Sequence, residues 1–75
     1  MAKRSITVAG HRTSISLEDA FWQALAEIAA AKRQSLADLV VAIDGARLPE
    51  VNLSSAIRLF VLDWFRSARS ERGDG

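Results

Sequence analysis

A chain of 75 residues with 49% hydrophobic and 25% charged side chains is globular in composition and has room for one small domain. A core of that size is marginal, and without cysteine neither disulfides nor thiolate metal sites supplement it, so self-association is the remaining route to burial. The formal net charge of +1 hides an asymmetry, because residues 1–17 carry Lys3, Arg4 and Arg12 and no acid while all nine acids follow from Glu18 onward, and such a basic arm suits a polyanionic partner.

In chain order, "RSITV" alternates Ile6 and Val8 against Ser5 and Thr7, so residues 1–10 read as an extended arm or an extra strand. "AGH" is a bend in which Gly10 supplies backbone freedom. From residue 11 to 17 apolar residues recur at every second position, and from Leu17 onward at every third or fourth (Phe21, Leu25, Ile28, Ala29). A strand therefore runs directly into a helix over 18–33. Ser16 is the expected N-cap of that helix, with Glu18 and Asp19 at the positive end of its dipole and Lys32 and Arg33 at the other.

Ser35 in "SLAD" begins a second helix over 35–46 with a capping-box-like pattern. Its stripe is Leu36, Leu39, Val40 and Ile43, and Gly45 and Pro49 mark its end. A third helix is expected over 52–69, capped by Asn52 or a following serine. It is apolar almost all round through Leu53, Ile57, Leu59, Phe60, Val61, Leu62, Trp64 and Phe65, which predicts burial on more than one side. Residues 70–75 read as a frayed tail.

Catalytic patterns are absent. His11 is the sole histidine, no Gly-rich phosphate loop exists, and no metal-ligand spacing occurs. The expectation is a non-enzymatic protein with no cofactor and no metal. Trp22 and Trp64 sit beside apolar stripes, so core or interface positions suit them better than base stacking. No apolar run follows Lys3 and Arg4 and none approaches about 18 residues, which predicts a cytoplasmic protein without a membrane partner.

A lone short strand is not stable. Its simplest partner is the same strand of a second chain, antiparallel across a two-fold axis. Thr13, Ile15 and Leu17 then face the helices, and Arg12, Ser14 and Ser16 face outward. That outer face is short, polar and basic, as a ribbon lying in a DNA major groove requires. An ordinary solvated strand face is also polar, so alternation alone does not separate the two.

The stretch "RTSISLEDAFWQALAEIA", with the following "SLADLV", resembles the ribbon-helix-helix family of bacterial repressors over roughly residues 11–45. The whole chain, including "KRSITVAGHRTSISLE" and "NLSSAIRLF", looks like a small bacterial subfamily of it with a third helix. The resemblance implies a mainly α fold with a short N-terminal β-strand, an intertwined homodimer with an intermolecular antiparallel β-ribbon, and double-stranded DNA as partner. It maps base contacts onto Arg12, Ser14 and Ser16, and the phosphate clamp onto the backbone of Ser35, Leu36 and Ala37, since helix starts bind anions. Lys3 and Arg4 add phosphate contacts from the arm. The dimer core is expected from Ile15, Leu17, Phe21, Leu25, Ile28, Leu39, Val40, Ile43, Ile57, Phe60, Val61 and Trp64.

Arg33 stands where that family often has glycine. "NLSSAIRLFVL" itself resembles a family second helix, which would move the clamp to Leu53, Ser54 and Ser55. The expected function is a dimeric transcriptional regulator that reads the major groove, a repressor in the family's pattern. The alternative is a homo-oligomeric, antitoxin-like module that binds a protein partner through its apolar third helix. A higher oligomer on DNA is left open.

Overall fold

The computed structural model describes residues 1–71 as strand β1 (Ala2–Val8), strand β2 (His11–Leu17), and helices α1 (Asp19–Lys32), α2 (Leu36–Ala46) and α3 (Leu53–Glu71). The expected frayed tail starts too early, since residues 70 and 71 are helical, and its remainder lies outside the described residues.

The strand at 11–17 does not stand alone. β1 pairs with it antiparallel, from Ala2 opposite Leu17 to Val8 opposite His11. The extra strand forms because Ala9 and Gly10 both adopt positive φ, 53° and 80°, the sign that lets a two-residue turn follow the natural twist of two strands. In such a hairpin the residues flanking the turn exchange both backbone hydrogen bonds, and bonded pairs then alternate along the ladder. The bonded pairs fall at Val8–His11, Ile6–Thr13, Arg4–Ile15 and Ala2–Leu17. The backbone groups of Arg12, Ser14 and Ser16 therefore point away from β1.

α1 begins later than its sequence suggests. Glu18, not Ser16, is the N-cap, and its side chain makes no capping bond. Ser16 lies within the strand, so its hydroxyl cannot reach the first turn. α1 ends on Arg33, which adopts the left-handed region (φ 58°, ψ 41°), and the amide of Gln34 bonds the Ala29 carbonyl at 2.9 Å. This is the helix stop that glycine usually serves, closed here by a residue with a Cβ. Arg33→Gly is therefore expected to stabilise the protein by up to about 1 kcal/mol. A denaturant titration checks it, and a loss of stability would mean the Arg33 side chain contributes more than its backbone strain costs.

Ser35 caps α2 as expected, its hydroxyl accepting from the Asp38 amide at 3.0 Å. Gly45 does not stop α2, because it lies inside the helix. Asn52 caps α3, its Oδ1 accepting from the Ser55 amide at 2.9 Å.

The sheet's inner face, α1, α2 and one side of α3 enclose one core. Ile15, Leu17, Leu25, Ile28, Leu39, Val40, Ile43, Ile57 and Val61 are buried, and so are Val8, Trp22 and Ala29. Phe21, Phe60 and Trp64, expected in the core, are only half-buried at its edge. Only one side of α3 is covered by the described residues, so Leu59, Leu62 and Phe65 stand 59%, 50% and 45% exposed.

Candidate nucleic-acid interface

Strand periodicity divides the hairpin into two faces. Ala2, Ile6, Val8, Ile15 and Leu17 contribute to the core or its edge. Residues directly opposite one another share a face, so the outer face collects Lys3 with Ser16, Ser5 with Ser14, and Thr7 with Arg12. Five of these six side chains are exposed and Ser16 is half-buried. Two are cationic, four are hydroxyls, and none is acidic. Arg12, Ser14 and Ser16 thus lie together on the face expected of them, and Lys3 joins them.

Ser5 and Thr7 on this face are not among the expected contacts, because residues 1–10 read as either an arm or an extra strand, although their alternation with Ile6 and Val8 carries the signal. Arg4 is separated from the group. It lies on the inner face, with its guanidinium 5.1 Å from the centre of the Trp22 ring. The Trp22 indole N–H donates to the Ala2 carbonyl at 3.0 Å. Trp22 and Arg4 together fasten β1 to α1. His11 is exposed at the start of β2.

Two helix starts offer unpaired amides. At α2 these are Leu36 and Ala37, since the first amides of a helix have no intrahelical acceptor, but Asp38 adds negative charge in the same turn. At α3 they are Leu53 and Ser54, and no acid lies in that first turn. α3 is also tied to the ribbon, its Ser54 hydroxyl donating to the Ser16 carbonyl at 3.0 Å.

Further along α3, Arg58 donates twice to the Glu18 carboxylate, at 2.9 and 3.1 Å. Nothing in the linear spacing announces this pair, which joins the strand–helix junction to α3 across 40 residues. These bonds hold the Glu18 carboxyl below its ordinary pKa. A carboxyl lowered in the native state contributes stability above its unfolded pKa, lost as pH falls through the native one. Glu18→Gln is expected to melt below the parent near neutral pH, with the gap closing as acid protonates the parent's carboxyl. A gap unchanged down to about pH 2 would contradict the pairing.

Among the described residues no group of three or more His, Cys, Asp or Glu side chains is placed to hold a metal ion. None of the described helices is long and apolar enough to cross a membrane.

Among protein families, a model described as a ribbon-helix-helix domain matches residues 1–65. No curated protein and no solved structure matches the chain.

Proposed function

The chain belongs to the ribbon-helix-helix family, and on that premise we propose that it is a homodimeric, sequence-specific DNA-binding regulator whose β-ribbon lies with its outer face in the major groove. Ribbon-helix-helix domains are generally DNA-binding transcription regulators or antitoxins, typically non-enzymatic, and typically bind DNA as dimers. The observation that carries the proposal is the chemistry of the outer face: Lys3 and Arg12 among four short hydroxyl side chains, with no acid. Short side chains let a ribbon approach base edges, and Arg12 suits a bidentate contact to guanine.

Ser14 and Ser16 accompany Arg12 as base contacts in this assignment. Of the two helix starts, α3 at Leu53 and Ser54 suits a phosphate better than α2 at Ser35, Leu36 and Ala37. It carries no acid in its first turn, and Ser54 ties it to the ribbon. The second copy covers the apolar side of α3 at Leu59, Leu62 and Phe65, which the described residues leave open.

Titration of a random duplex at low and moderate salt tests the proposal. Binding is expected at low salt, falling log-linearly as salt rises. No binding at micromolar protein and low salt would overturn it.

The same apolar surface also suits a second reading, an antitoxin-like module that binds a protein partner. A groove of about 330 Å³ between α2 and α3 is lined by Ile43, Leu48, Val51, Leu59 and Phe60. If a different protein fills it, truncating Leu48 and Leu59 leaves the homodimer intact. If the second copy fills it, the same truncations weaken the dimer.

A further inference from the structure

We infer that the DNA-facing surface of the dimer is a four-stranded sheet in the order β1-β2-β2-β1, with the β2 pair over the base edges and the outer face of β1 against the phosphates. This rests on the DNA-binding proposal above and adds to it a role for a strand that a two-stranded ribbon does not need.

The sheet order follows from which edge of β2 is free. β1 occupies the edge formed by the backbone groups of His11, Thr13, Ile15 and Leu17, as the Val8–His11 register and the two-residue turn require. The opposite edge presents Arg12, Ser14 and Ser16. The Ser16 carbonyl accepts from Ser54, which agrees with its pointing away from β1. The N–H and C=O groups of Arg12 and Ser14 then stand open on that edge. Open edge groups are a template for another strand, and the same edge of a second copy pairs with them antiparallel about a two-fold axis. The hairpin need not open for the dimer to form.

Width then separates the roles of the strands. Neighbouring strands lie about 4.8 Å apart, so the two outermost backbones of a four-stranded sheet are about 14 Å apart, against a major groove about 12 Å wide. With strands running along the groove, the central pair enters and the outer pair meets the sugar–phosphate walls. The outer face of β1 suits that position. Lys3 supplies a point charge, Ser5 and Thr7 supply hydroxyl donors, and no acid lies beside them. Such contacts fix position and carry no sequence information.

Two proline variants test the sheet order, because each removes one amide that points away from the hairpin partner and leaves the hairpin's own bonds in place. Ser14→Pro is expected to weaken the dimer in sedimentation, since the apolar side of α3 still holds the two copies, and Ser5→Pro is expected to leave the dimer as strong as the parent. A dimer not weakened by Ser14→Pro, or one weakened as much by Ser5→Pro, would overturn the order.

Alanine variants of β1, read on DNA, test the roles without depending on proline tolerance. Ser5→Ala and Thr7→Ala are expected to lower affinity for a preferred and a random duplex by the same factor. Lys3→Ala should do the same and flatten the salt slope by about 2, one phosphate from each chain. A changed sequence preference, or unchanged affinity and slope, would overturn the assignment of β1 to phosphate. A parent that is monomeric, or that binds no duplex, would instead bring down the DNA-binding proposal itself and this inference with it.

Discussion

Trp22→Ala is expected to destabilise the protein by about 3–5 kcal/mol, the range for an aromatic truncated in a core. Trp22 is 2% exposed, and it joins α1 to the first strand through a hydrogen bond and a cation–π contact. Its ring packs in the core, its N–H holds the Ala2 carbonyl at 3.0 Å, and the Arg4 guanidinium covers it at 5.1 Å. Truncation removes all three contacts and leaves a cavity beneath the hairpin. Trp22→Phe separates them, since it keeps most of the apolar surface and loses the hydrogen bond, at a cost of about 1–3 kcal/mol. Urea titrations at one fixed protein concentration measure both, because coupled association shifts apparent stability with concentration. A loss below about 1 kcal/mol for Trp22→Ala would mean that Trp22 neither fills the core nor holds β1. Since β1 carries Lys3, Ser5 and Thr7 to the outer face, release of β1 is also expected to weaken DNA binding by a variant that still folds.

Much of this architecture is legible in local pattern. The change from period two to helical spacing at Leu17 marks the strand–helix junction, and Ser35 marks the start of α2, because both signals are carried by neighbouring residues. The phase of β2 is equally local, which is why Arg12, Ser14 and Ser16 fall together on the exposed face.

What is not legible depends on contacts between distant residues or on backbone angles. The hairpin turns on Ala9 at positive φ, a position where sequence patterns favour Asn, Asp or Gly, so the sequence leaves residues 1–10 readable as either an arm or an extra strand. The cap at Ser16 fails because the strand continues through that residue. Glu18, its replacement, turns its carboxylate to Arg58 on the third helix. Trp22 reads as lying beside the core stripe, yet it is buried, with the Ala2 carbonyl of β1 on its N–H and the Arg4 guanidinium over its ring. Phe60 and Trp64 read as core because α3 is apolar on several sides, yet the described residues cover only one of those sides.

The proposed groove contact makes Arg12 the residue whose loss is most informative on DNA. It is exposed on the outer face, opposite Thr7 and on the opposite side of the strand from Ile15 and Leu17, so its truncation disturbs no packing. In a dimer it occurs twice, once in each half-site. At about 1–3 kcal/mol per bidentate base contact, Arg12→Ala is expected to cost about 2–6 kcal/mol on the preferred sequence. On random DNA only its charge is missed, so the loss there is smaller. The measurement is the ratio of affinities for a duplex selected from a random pool and for a random duplex, at one salt concentration, for the parent and for Arg12→Ala. The parent is expected to show a large ratio and the variant a collapsed one. Equal losses on both duplexes, or a parent with no preference at all, would contradict base reading by the ribbon.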